Sequence, residues 1–240
     1  MNEVFLFLTA GTTLVILSYG FALGLKHATE ADHLAAVSTI VSQQKGFLRS
    51  AGLGALWGLG HTISLLIAGV LVLVLNFQIS EKTEGVLEFF VGVMLCILGL
   101  NVFRKLIQGH KLHLHKHAHA GHEHAHVHTH PHQHDEGNEA TPFSPRALIV
   151  GMIHGLAGSA ALMLLIIPMI DSKIVGVLYI AIFGIGSIAG MAIMTFLVGL
   201  PFQITAIRYS RFREVLQGVA GLVSITIGLW IIYEKGFAPA

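Results

Sequence analysis

Charge is scarce in this chain. Asp, Glu, Lys and Arg make up 11% of its 240 residues, against about 25% in an ordinary soluble domain. Hydrophobic residues reach 54% and mean hydropathy is +0.73. That balance excludes a water-soluble globular domain and points to an integral membrane protein. The net charge of +1 carries no signature of nucleic-acid binding, so nucleic acid is not an expected partner. Cys96 is the single cysteine; no intrachain disulfide is possible, and inside an apolar run it reads as a packing residue. No Lys or Arg precedes Lys26, so the start lacks the basic region of a cleavable signal peptide and the first span is expected to stay. No ATP-binding motif is present, and no His-Glu-x-x-His lies in an apolar segment.

What the chain does have is apolar length. Hydrophobic spans run at about Val4–Val41, Ser50–Leu75, Val86–Leu106, Arg146–Ile170, Ile174–Leu200 and Val215–Tyr233, near or beyond the ~20 residues that cross a bilayer core. As one straight helix the first would extend ~57 Å. It is expected to be a long broken helix, or two closely spaced segments meeting near Gly20–Gly24. The fold expected is an all-α integral membrane protein with six transmembrane segments, or seven.

Between the third and fourth spans lies a tract with 12 histidines from His110 to His134, many alternating as His-x-His. Such composition forms no packed core and reads as a disordered metal-binding loop, suited to Ni²⁺, Co²⁺ or Zn²⁺. Basic residues set its side of the membrane. Lys45, Arg49, Arg104, Lys105, Lys111, Lys116, Arg146, Arg208, Arg211 and Arg213 fall on one side, and only Lys82, Lys173 and Lys235 on the other. The positive-inside rule places the loop in the cytoplasm and the C-terminus outside, in a multi-pass protein of the cytoplasmic (inner) membrane.

The two halves repeat. Gly24-Leu-Lys-His27 aligns with Gly151-Met-Ile-His154, Trp57-Gly-Leu-Gly60 with Phe183-Gly-Ile-Gly186, and Val86-Leu-Glu88 with Val215-Leu-Gln217, at offsets of 127, 126 and 129. Three spans per half is an odd number, so the second half sits inverted, an arrangement that places a transporter's substrate site at the midplane between repeats. The expected organisation is a first transmembrane repeat with an N-terminal extension over 1–106, the disordered cytoplasmic loop over 107–144, and a second repeat over 145–240.

Polar groups inside the spans are few and concentrated. His27-Ala-Thr-Glu-Ala-Asp-His33 places two imidazoles and two carboxylates in apolar sequence, where ionisable groups mark function by default. From the cytoplasmic ends of their spans, His33 and His154 lie about 12 Å deep, His61 about 17 Å and His27 about 21 Å. Nitrogen and oxygen donors together suit divalent transition metals. The candidate metal site is therefore His27, Asp32, His33, His61, His154 and Glu30. On an ideal helix Asp32 falls off the line of His27, Glu30 and His33, whereas a helix break at this motif would re-aim side chains and free carbonyls into the site. Glu84 and Glu88 read as a solvated helix end.

These residues resemble the nickel/cobalt transporter family, whose signature is a transmembrane His-x4-Asp-His, here His27 to His33. Lys26 and Glu30 stand where the family usually has Arg and Asp. Leu59-Gly60-His61-Thr62 resembles its second motif, and His154-Gly-Leu-Ala-Gly-Ser159-Ala-Ala is similar to the short, urease-accessory branch. The resemblance implies secondary transport of Ni²⁺ or Co²⁺, with uptake favoured and His27, Asp32 and His33 as metal-site residues. Efflux uses the same residues and stays open. A membrane metalloenzyme or a metal sensor or buffer are weaker alternatives, because neither needs an inverted repeat. No bound cofactor is expected; the partners expected are the divalent ion, membrane lipid and a cytoplasmic metallochaperone.

Overall fold

Within a bilayer each backbone N–H and C=O must be paired inside its own segment, so long apolar runs become helices. The computed structural model describes residues 2–44, 46–75, 80–109, 113–119, 122–128, 145–157, 172–208 and 210–237, with backbone alone over 2–10, 81, 109, 113–119, 122–128, 206–208 and 210. The helices described are α1 (Asn2–His27), α2 (Ala31–Val41), α3 (Phe47–Leu75), α4 (Glu81–Gly109), α5 (Pro145–Ala157), α6 (Lys173–Arg208) and α7 (Ser210–Gly236). Of these α3, α4, α6 and α7 are long and apolar enough to cross a membrane, while α2 and α5 are short apolar helices. The continuation of the Arg146–Ile170 span past Ala157 lies outside the described residues.

Leu48, Ile97, Ile174, Ile204 and Trp230 are each more than half exposed, whereas His33, His61, Ser187 and Ser224 are fully buried. An apolar exterior around a partly polar interior suits lipid as the solvent.

The first span breaks, but not near Gly20–Gly24. α1 runs unbroken through both glycines to His27, and α2 starts at Ala31. The glycines serve contact instead. A Cβ at Gly24 would strike the Phe183 carbonyl oxygen, and one at Gly20 would meet the Tyr179 ring. α1 and α2 together form one crossing beside α6, since Gly20 meets Tyr179, Ala28 meets Gly190 and Val41 meets Gly199 in the same direction along both.

The inverted repeat is visible in reciprocal contacts. Gly24 meets the Phe183 carbonyl, and its equivalent Gly151 meets that of Trp57. Gly186 meets the Phe21 carbonyl, and Gly60 that of Leu148. Along α3 and α6, Gly54 pairs with Thr195, Gly58 with Ile188, Thr62 with Gly184 and Gly69 with Ile180, so these equivalent helices run antiparallel. α4 and α7 do the same through Gly92–Gly228 and Gly99–Gly221. A two-fold axis across the bundle therefore relates the repeats. Such close crossings require small residues, because dispersion and backbone proximity hold helices together where lipid weakens the hydrophobic drive.

Basic residues gather at one end. Lys105 Nζ bonds Gln43 Oε1, and the Gln217 amide donates to Ser42 O at 2.6 Å. In the His tract, His113–His119 (β1) pairs antiparallel with His122–His128 (β2), so its middle is a hairpin rather than a segment without secondary structure. The register sets His113 against His128, His115 against His126, His117 against His124 and His119 against His122. Alternating His-x-His has the two-residue period of a strand. His122-Glu-His-Ala-His126 fits the His-Glu-x-x-His pattern, but on a strand it lacks the helical spacing that chemistry requires.

Candidate metal centre

The break between α1 and α2 organises the site. The Thr29 N–H and hydroxyl both donate to Lys26 O, at 2.9 and 2.6 Å, and the Glu30 N–H donates to His27 O at 3.1 Å. These bonds satisfy the carbonyls that α1 leaves open at its end. Glu30 then takes an extended backbone (φ −66°, ψ 152°) and α2 begins. Asp32 sits in its first turn, where the positive end of the helix favours a carboxylate, and its Oδ1 accepts from the His33 N–H at 2.9 Å.

This geometry rescues Asp32 from the off-line position that a straight helix would give it. Asp32 Oδ1 lies 3.1 Å from His33 Nδ1, and Oδ2 lies 3.1 Å from His154 Nε2 on α5. His154 Nε2 is also 3.3 Å from His33 Nδ1. On the other side His27 Nε2 is 3.2 Å from His61 Nε2, and His27 Nδ1 is 3.0 Å from Glu30 Oε1. His61 occupies the midpoint of α3.

All six sequence-nominated residues are therefore brought together. Five of them form two overlapping triads, His27–His33–His61 and Asp32–His33–His154, in each of which ligand atoms lie within 4.8 Å of one another, and Glu30 joins through His27. His33 belongs to both. Two donors held about 2.1 Å from one ion at tetrahedral or octahedral angles lie roughly 3.0–3.4 Å apart, a range that contains the spacings above. The four imidazoles are at most 2% exposed, while the Glu30 and Asp32 side chains are 38% and 19% exposed. The cluster thus has a buried nitrogen core and a carboxylate edge. His33 Nε2 and His154 Nδ1 are buried with no hydrogen-bond partner among the described residues. An orphaned buried nitrogen costs about 1–3 kcal/mol, and a cation would satisfy it.

Aromatic walls complete the site, and these were not singled out as site residues from sequence. Trp57 packs against His33 and His154 at ring-centroid distances of 5.5 and 5.4 Å, and Phe183 against His27 at 5.7 Å. They are equivalent positions of the two repeats. The same offset of 126 carries His61 to Ser187, whose buried Oγ lacks a hydrogen-bond partner among the described residues. That offset was the signal that finds it. Thr62 fixes the depth of His61, accepting no ligand role itself: its hydroxyl lies 2.8 Å from Gly58 O and 3.1 Å from Gly184 O, binding α3 to α6.

Residues 11–159 match the NicO family, described as high-affinity nickel-transport proteins. The chain belongs to the NicO family. The NicO match spans the first repeat, the His tract and α5, and hence all six residues of the cluster. This NicO protein is 38% identical over 228 residues to the urease accessory protein UreH of Bacillus sp. (strain TB-90), covering 93% of this chain and 92% of that one. It is 26% identical over 226 residues to chloroplast protein FOR GROWTH AND FERTILITY 1 of Arabidopsis thaliana, covering 91% of this chain and 59% of that protein. A shorter stretch of 71 residues is 35% identical to the high-affinity nickel transport protein of Cupriavidus necator, covering 29% of this chain and 20% of that one. No solved structure matches the chain. NicO membership and the apolar helices make it a multi-pass membrane protein of a metal-transport family.

Proposed function

We propose that this protein is a secondary carrier that moves Ni²⁺ into the cell, holding the ion among His27, Asp32, His33, His61 and His154 with Glu30 at the edge. The observation that carries the reading is the pair of triads sharing His33 at a helix break inside a two-fold bundle. Broken helices at a repeat interface are where transporters bind cargo. The mixed imidazole and carboxylate set suits Ni²⁺ and also accepts Co²⁺. Removing one ligand leaves the others unable to complete the geometry.

On this reading the chain lies in the cytoplasmic membrane with its basic end inside and its C-terminus outside. The His hairpin then stands on the receiving side, where its paired histidines hold Ni²⁺, Co²⁺ or Zn²⁺ after transit or hand the ion to a cytoplasmic metallochaperone.

The test is Ni²⁺ flux in proteoliposomes, with the gradient imposed in each direction. Wild type is expected to carry Ni²⁺ inward, while His27→Ala, Asp32→Ala and His33→Ala each abolish flux at equal reconstitution. Wild-type rates in all three variants would remove the cluster from the path. Flux in the outward direction only would assign efflux.

A further inference from the structure

The carboxylate edge of the cluster opens into a cavity of about 210 Å³ whose described walls include Glu30, Asp32, Glu88, Val91, Ala157, Ile231 and Lys235. Among these walls Lys235 Nζ lies 2.7 Å from Glu88 Oε2. Glu88 is thus not a solvated helix end. It is 20% exposed, its partner 37%, and both share one chamber with Asp32.

The two-fold axis supplies an independent comparison. The equivalent of Glu88 is Gln217, at the opposite end of the bundle. There no ion pair forms at that position: the Gln217 amide donates to Ser42 O and packs α7 against the end of α2. One end of the path therefore carries a carboxylate paired with an ammonium, and the other carries a neutral amide at the equivalent position, bonded to backbone. In an inverted repeat the two ends exchange conformation during transport, but Glu88 and Gln217 cannot exchange charge.

We propose that Glu88 is the residue that captures the incoming divalent cation, and that the Lys235 ammonium is a tethered cation which the ion must displace to reach Asp32. The inference rests on the carrier reading above. Lys235 neutralises Glu88 while no ion is present, so the unoccupied chamber keeps a balanced pair instead of a bare carboxylate facing a low-dielectric wall. A divalent ion outcompetes a single ammonium for the carboxylate because it brings twice the charge. Once freed, the ammonium lies behind the ion and opposes its return. Monovalent cations lack that advantage, so the latch also filters by charge.

The experiment is Ni²⁺ uptake into proteoliposomes by the full chain carrying Glu88→Gln, Lys235→Gln or both, with Ni²⁺ binding to the same purified proteins measured by equilibrium dialysis. Lys235→Gln is expected to lower the half-saturating Ni²⁺ concentration roughly two- to fivefold, the span that one partly exposed ion pair supports. Glu88→Gln is expected to raise it by a similar factor, the double variant to follow Glu88→Gln, and Glu88→Asp to restore most of the loss. The number of Ni²⁺ ions bound at saturation should not change. A pair that only braces α4 against α7 predicts shifts of the same sign in both single variants, and that result, or no shift in either, overturns the latch while leaving the carrier intact. A wild-type protein that neither binds nor transports Ni²⁺ sinks the carrier reading, and the latch with it.

Discussion

His27 and His154 occupy the same position in the two repeats, and Trp57 and Phe183 another. The next equivalent pairs are His61 with Ser187 and Glu88 with Gln217. Where helices cross, by contrast, the repeats agree: Gly24 with Gly151, Gly60 with Gly186, Gly92 with Gly221, Gly99 with Gly228. Packing positions are alike because the same crossing is built twice, and a Cβ would crowd the facing helix at each, least at Gly221. Positions around the cluster differ because its polar groups lie off the two-fold axis. Five of the six nominated residues come from the first repeat, and the second contributes His154.

The largest test of this inequality is to weigh one member of the cluster from each repeat. His33→Ala, which removes the residue common to both triads, is expected to lower Ni²⁺ affinity by at least about a hundredfold. His154→Ala should cost roughly ten- to a hundredfold, and Ser187→Ala under about twofold. Equilibrium dialysis reads all three, and equal losses for His33 and Ser187 would mean that the repeats share the ion evenly.

Packing should show the opposite pattern, with equal losses from the two halves. Gly24→Ala and Gly151→Ala each drive a methyl into a carbonyl oxygen of the facing helix and should each destabilise the detergent-solubilised protein by about 1–3 kcal/mol. Thermal unfolding midpoints that fall for one variant and not the other would break the symmetry of the scaffold.

The smallest effect belongs to the segment that has no counterpart in either repeat. Deleting residues 110–134 should reduce the number of Ni²⁺ ions bound per chain while leaving uptake measurable, since the carrier bundle does not need it. Abolished uptake in a correctly inserted deletion protein would place the hairpin in the path itself.

Much of this was legible before any coordinates. The offsets of 127, 126 and 129 revealed the repeat, and helical rise alone set the four histidines outside the tract at overlapping depths. The joint of the first span falls at the His27–His33 motif, one of the two places sequence offered, and not near Gly20–Gly24, because glycine signals both helix breaking and helix crossing and only the facing helix tells them apart. Asp32 leaves the straight-helix line because its direction depends on that break. Glu88 looked solvated because sequence gives a residue's depth without its partner, and Lys235 lies 147 positions away. In the His tract, composition spoke for disorder while the two-residue alternation spoke for strands, and the backbone follows the alternation.

The reciprocal glycine crossings have a consequence for descent. A surface that meets its own copy through the same residues in both directions is the interface of a symmetric dimer. Here the two copies are joined through the His tract, so the chain has the form of a dimer of three-span units, one inserted each way up, made continuous by fusion. In separate identical subunits, every substitution would land on both sides of the membrane at once. Fusion lifts that constraint, and a chain that can place a carboxylate at one mouth and an amide at the other has a polarity that no pair of identical subunits could acquire.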